Sequence, residues 1–215
     1  ILSADYSQIE LRLIAELSKD VAMVEAFQLG LDIHSATAAK VYGVPLEEVT
    51  PEQRRNAKTV NFSIIYGAGS LNLSRQLGIK RTEAKEIIES YFTQFNGLKS
   101  YMDRMVNEAH EFGYVTTLMG RRRYLRDINS RNSLARSGAE RIAVNSPIQG
   151  TAADMIKLAM IKIHEEFISK GVQSKMIMQV HDELVFDVLR TELEQVKEIV
   201  IRNMQNAIPG LAVPI

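Results

Sequence analysis

The 215-residue chain has no cysteine, no net charge and no long apolar run. Without cysteine there are no disulfides and no thiolate zinc sites, and the composition fits a reducing compartment. No apolar stretch approaches the roughly 18 residues needed to cross a bilayer, and the first residues lack the charged and apolar regions of a secretory signal. The sequence therefore reads as cytoplasmic, monomeric and without a membrane partner. It also lacks an initiating methionine: it opens with Ile1 inside an apolar run and stops at Pro214-Ile215, so it reads as a fragment of something larger. Internal repeats and low-complexity tracts are missing too, while 46% hydrophobic and 24% charged residues are ordinary for a globular domain or two subdomains.

Zero net charge argues at first against a nucleic-acid partner, whose phosphates call for Lys and Arg. Distribution matters more than the sum. Residues 121–141 carry seven arginines against only Asp127 and Glu140, while acids gather in residues 83–89 and 192–198, where they read as solvated helix faces.

Periodicity predicts a strand at the N-terminus, then helices over residues 8–27 and 34–42. Thr50-Pro51-Glu52-Gln53 supplies an N-cap, a proline at the first helical position and a capping-box Gln, so a helix starts at Pro51 and ends at Gly67-Ala68-Gly69. Further helices are expected over 71–77, 83–95 and 98–112, then a hairpin over 114–125 turning at Met119-Gly120. Another helix over 133–146 should kink or break at Pro147 before a long helix runs to Ser169. A β-hairpin over 175–186 and a helix over 192–207 complete the chain. Helices in the middle and β elements at both ends give an α+β class with a small antiparallel sheet built from distant segments.

Two aspartates sit where strands stop. Asp5 ends the first apolar run, and Asp182 follows His181 at the tip of the last hairpin. An Asp at a turn or a helix N-cap accounts for either one alone. Brought together, they would repel by roughly 4 kcal/mol at 4 Å in an effective dielectric near 20. A divalent cation removes that cost, and magnesium takes carboxylate oxygens while keeping sites for water and phosphate. This is the layout of a two-metal phosphoryl-transfer site.

Between them in sequence, Arg54, Lys58, Phe62 and Tyr66 recur every fourth residue of the helix starting at Pro51, and so share one broad face. Ala57, Val60 and Ile64 fall on the opposite side. Arg and Lys can neutralise a polyphosphate, and the two rings offer flat surfaces for a sugar and a base. An amphipathic helix with a solvated basic start and two core aromatics would show the same spacing. Arg141, Asn145 and Gln149 form a second four-residue row. It suits minor-groove acceptors, which vary little between base pairs, and suits a buried polar network equally well.

Three segments together resemble the signature motifs of the family A DNA polymerases. DYSQIELR (residues 5–12) is similar to motif A, RRNAKTVNFSIIYG (54–67) to motif B and QVHDELVF (179–186) to motif C, in the family's order and spacing; the similarity extends through PIQGTAADMIK (147–157). The resemblance implies a right-hand fold, with palm over residues 1–30 (motif A) and 121–215 (motif C hairpin, 175–188) and fingers over 31–120 (motif B helix, 51–66); the thumb would be missing. It implies that Asp5, the Tyr6 carbonyl and Asp182 hold two magnesium ions, with Glu183 nearby. Lys58, with Arg54 and His34, would contact the triphosphate and serve as proton donor to pyrophosphate. Glu10 would lie under the sugar and exclude a 2′-hydroxyl, Phe62 would pack on that sugar, and Tyr66 would guard the templating position. Arg141, Asn145, Gln149 and His181 would hold the primer-template end.

The activity so implied is template-directed DNA synthesis from deoxynucleoside triphosphates. A single-subunit RNA polymerase shares the palm and the His-Asp hairpin, but Glu10 would obstruct ribose. A fragment that binds nucleotide or DNA without turnover is the reading from a different class. A two-metal nuclease would leave the triphosphate stripe without a role.

Overall fold

The two ends of the chain meet in one sheet. In the computed structural model, which describes residues 1–215, strand β1 (Leu2–Asp5) pairs antiparallel with β5 (Glu183–Asp187), which pairs in turn with β4 (Lys175–Val180). Alternation sets the register. Leu2 lies opposite Phe186 and Ala4 opposite Leu184, and both β5 side chains are fully buried, each contributing about 1.5–3 kcal/mol. Slipping by one residue would turn this apolar set to the other face and draw Asp5 away from the hairpin tip. The β4–β5 register shifts between Met176 and Met178.

Helices α1 (Ile9–Ser18) and α2 (Val21–Gln28) replace the single helix predicted over 8–27. The apolar period runs through the break, which is why the sequence hides it. Lys19 adopts φ +52°, and the Asp20 carboxylate accepts from the amides of Met23, Gly97 and Leu98. One buried acid thus caps α2 and ties it to a helix begun some 77 residues later.

Helix α3 (Ile33–Tyr42) is capped by Asp32, and α4 (Pro51–Ile65) by the expected box. The Gln53 amide donates to Thr50 Oγ1 at 3.2 Å, and the Thr50 amide to Gln53 Oε1 at 2.9 Å. Helices α5 (Ser70–Leu77) and α6 (Arg81–Gln94) follow, and α3 packs on α4 and α6 while α5 packs on both α4 and α6. Helix α7 (Asn96–Phe112) lies against α1 and leads to the small hairpin of β2 (Tyr114–Thr116) and β3 (Arg122–Tyr124).

Pro147 does not end a helix: α8 runs unbroken from Ser133 to Ser169. A proline inside a helix costs about 3 kcal/mol. Burial of Val144, Ile148, Met155 and Ile156 along the same helix, at about 1.5–3 kcal/mol apiece, outweighs it. Helix α9 (Leu193–Gln205) packs on α8. Of the acids read as solvated, Glu192 is instead anchored, accepting from the amides of Gln173 and Ser174 and the Ser174 hydroxyl. Core residues from the sheet, α1, α4, α6, α8 and α9 form one continuous cluster. The architecture is α+β, and no helix is long and apolar enough to cross a membrane.

Candidate nucleotide and metal site

The β1–β5 register places Asp5 opposite Glu183, where facing Cα atoms lie about 4.5–5.5 Å apart. Just beyond, the Tyr6 amide donates to the Asp182 carbonyl at 3.3 Å. Tyr6 is buried, its hydroxyl donating to the Met204 carbonyl of α9 at 2.7 Å, so the end of β1 is anchored from behind. His181 and Asp182 form the turn between β4 and β5, with His181 exposed and at φ +54°. Gln8, at the mouth of α1, is also left-handed. A non-glycine residue pays roughly 1–2 kcal/mol for that backbone, and both strained positions flank the acids.

No ion pair involves Asp5, Asp182 or Glu183. Glu183 accepts a hydrogen bond from the Ser3 hydroxyl. The Asp5 carboxyl titrates above its ordinary value, first through partial desolvation, then through the charges of Asp182 and Glu183, with the Tyr6 amide acting the other way. The acid end is a concentration of like charge with no cation of its own.

The face of α4 is organised differently. Ala57, Val60 and Ile64 are buried beneath it, and Lys58 stands exposed above. Arg54 is held by Asp32 through Nε at 2.8 Å and Nη2 at 3.0 Å. Burial works to raise the Asp32 pKa, but the Arg54 fork and the Ser35 hydroxyl and amide outweigh it and hold it at about 2. His34 is buried beside Phe62, ring centroids 5.8 Å apart. Burial lowers its pKa, Arg54 and Lys58 add to this, and Asp32 opposes. Phe62 and Tyr66 stack at 6.4 Å with planes 11° apart.

Tyr66 joins this face to the acid end. Its hydroxyl donates to Glu10 of α1, and burial followed by that carboxylate pushes its pKa up to about 12, with Gln149 opposing. A cleft of about 250 Å³ next to this contact is lined by Tyr6, Glu10, Gln149, Gln179, His181 and Asp182. Arg141 packs across Gly67, where a Cβ would come within 2.7 Å of its Cγ. Glycine is required there by contact as well as by φ +75°. Asn145 is half-buried, and its Oδ1 is buried without a hydrogen-bond partner.

Beyond Gln149 lies a second cleft of about 510 Å³, flanked by Arg121, Arg122, Arg123, Thr117 and Ser146. Part of that positive charge is structural. Arg121 pairs with Asp154 at 2.6 Å and donates to the Gly150 carbonyl, Arg122 lies over the Tyr114 ring at 4.7 Å, and Arg136 reaches the Ser130 carbonyl. Asp32, Asn61 and Asp154 organise the site but stand outside the sequence reading. Only Asp32, just ahead of an apolar period, carried a local capping signal.

The fold, with both chain ends building one three-stranded sheet, is shared with a solved polymerase domain. The POL domain of Pol1 from M. smegmatis, solved in complex with DNA primer-template and dNTP, matches with a TM-score of 0.95 and 45% identity, over 99% of this chain and 37% of that one. The model of DNA polymerase family A matches residues 1–215. DNA polymerase I of Streptococcus pneumoniae serotype 4 is 52% identical over 216 residues, and that of Geobacillus stearothermophilus 49% identical over 215; each match covers 100% of this chain and 24% of the relative. The chain belongs to DNA polymerase family A. It spans about a quarter of the length of these curated relatives.

Proposed function

We propose that this chain is the palm and fingers part of a template-directed DNA polymerase, transferring deoxynucleotides from dNTPs to a primer 3′-hydroxyl. Residues 1–30 and 121–215 serve as palm and 31–120 as fingers. The observation that carries the reading is the β1–β5 register, which sets Asp5 beside the Asp182 hairpin on a site short of positive charge.

The donor chemistry fits magnesium. Asp5, Asp182 and the Tyr6 carbonyl would be the ligands, with Glu183 close by. No three His, Asp or Glu side chains form a complete cage, and magnesium commonly uses one or two carboxylates with substrate phosphates completing the shell. The chemistry supplied by two bound ions is activation of the 3′-hydroxyl and neutralisation of charge on the leaving pyrophosphate.

The other roles belong to the chain's own side chains. Lys58, free of any ion pair, meets the phosphates as a point charge and delivers a proton to the departing pyrophosphate. Arg54 presents the guanidinium edge that Asp32 leaves open, and His34 donates from the same side. Phe62 packs on the sugar, while Glu10, oriented by Tyr66, occupies the space a 2′-hydroxyl would need. Tyr66 covers the templating position. Arg141, Asn145, Gln149 and His181 line the route of the primer-template end.

Primer extension with magnesium and dNTPs tests this directly. Extension that proceeds equally with ribonucleotides would sink the DNA assignment, and Glu10→Ala should relax sugar discrimination by about tenfold or more, roughly 1.4 kcal/mol. DNA binding without extension would identify a binding fragment instead.

A further inference from the structure

Behind the cationic face of α4 lies a group of four polar side chains almost wholly shut off from solvent: His34 at 2% exposure, Thr37 at 1%, and Asn61 and Tyr91 at 0%. Donor counting fixes their directions. The Thr37 hydroxyl has one hydrogen and two acceptors in reach, the Ile33 carbonyl at 2.8 Å and Asn61 Oδ1 at 3.2 Å; given to the shorter contact, it leaves the oxygen to accept from Asn61 Nδ2 at 3.1 Å. The Tyr91 hydroxyl donates to Asn61 Oδ1 at 2.9 Å. The remaining Nδ2 hydrogen of Asn61 meets His34 Nδ1 at 3.1 Å.

The opposite orientation of the amide is disfavoured. It would strip the Tyr91 hydroxyl of its acceptor, and a threonine hydrogen turned to the amide oxygen would give up its shorter bond to the Ile33 carbonyl. Each buried bond left unmade costs about 1–3 kcal/mol. With a donor aimed at Nδ1, that nitrogen must carry the lone pair and the ring's proton must sit on Nε2.

We propose that Asn61 is a positioning residue that holds His34 in its neutral Nε2–H form, so that His34 meets a nucleotide phosphate as a fixed hydrogen-bond donor and not as a titrating cation. The phosphate partner rests on the function proposed above; the tautomer does not. Protonating Nδ1 would turn two N–H groups toward each other in a dry site. The charged groups facing the ring divide. Arg54 and Lys58 from α4 oppose a positive imidazole, Asp32 at the start of α3 favours one, and Tyr91 of α6 reaches the ring only through Asn61.

Long-range proton–nitrogen NMR of the histidine-labelled chain reads the tautomer without any substitution. A His34 Nδ1 without a proton and an Nε2 with one, unchanged between about pH 6 and 8 where a free imidazole titrates, is the expected result. A proton on Nδ1, or titration within that range, overturns the inference. Adding a dNTP with magnesium should move the Nε2–H signal while Nδ1 stays bare. A locked tautomer with no response to dNTP overturns the phosphate contact and leaves the tautomer standing.

Asn61→Asp replaces the donor at Nδ1 by an acceptor and gives a second reading. Its dNTP affinity, taken relative to wild type at each pH, should fall about tenfold from pH 6 to pH 8 as an imidazolium loses its proton. A ratio that stays constant would show that Asn61 does not govern the ring.

Discussion

The acid end and the cationic face solve opposite electrostatic problems. At the hairpin tip, Asp5 stands near the charges of Asp182 and Glu183 with no basic partner, and desolvation first, then those charges, make it resist ionisation. On the face shared by α3 and α4, Arg54 is already gripped by Asp32 and the buried His34 ring is hydrogen-bonded from behind, while Lys58 stays exposed. One region needs a ligand to become comfortable; the other is arranged before any ligand arrives. The difference fits the distinct tasks proposed above, since a site that waits for cations can be loaded and unloaded, whereas a phosphate cradle gains affinity from being rigid beforehand.

The largest expected effect breaks the acid end. Asp182→Ala should reduce primer extension by about 10³-fold or more, the scale of several kcal/mol of transition-state charge stabilisation. Stability should move the other way. The Asp182 charge, which adds to desolvation in raising the Asp5 pKa, is removed, so the variant should melt at or slightly above the wild-type temperature in the absence of divalent ions. Magnesium should raise the wild-type melting temperature and leave the variant's unchanged. Near-normal extension, or a magnesium shift that survives the substitution, would remove Asp182 from the metal site.

A smaller effect separates arrangement from competition on α4. Asp32→Asn retains an acceptor for Ser35 at the α3 cap but loses the charge that holds Arg54. If Asp32 orients the guanidinium, dNTP affinity should fall a few-fold with little change in turnover; if Asp32 merely competes with phosphate, affinity should rise. The pH dependence has a definite sign. The folded pKa of Asp32 lies at about 2, below the ordinary value of about 3.9. Its contribution to stability is therefore present above about pH 4 and lost as pH falls toward 2. Wild type and variant should differ by up to about 1 kcal/mol at neutral pH and converge across that acidic window.

What sequence reasoning could reach depended on whether the determining contact was local. The Thr50-Pro51-Glu52-Gln53 box announces the start of α4 because all its partners lie within three residues. The turn at His181-Asp182 is likewise visible as a gap between two apolar runs. The break at Lys19-Asp20 is not, because Asp20 answers to amides of Gly97 and Leu98 across the fold. Pro147 misleads for a related reason: local chemistry argues for a break, and burial along α8 overrides it. Asn61 sits among the motif residues yet passes unread, since its partners come from α3 and α6.

The smallest expected effect tests whether the cationic face owes its position to that local box. Thr50→Ala removes the acceptor for the Gln53 amide and should cost about 1 kcal/mol, a fall of about 2–4 °C in melting temperature for a chain of this size. Because α3 packs along α4 and Asp32 holds Arg54 from outside the helix, the frayed first turn should remain docked. The dNTP affinity should then change by less than about twofold. A larger loss would mean that the N-terminal turn, and not the grip of Asp32 and the buried Asn61 group, sets the geometry of the phosphate face, and the contrast between a prearranged cradle and a cation-dependent acid end would have to be redrawn.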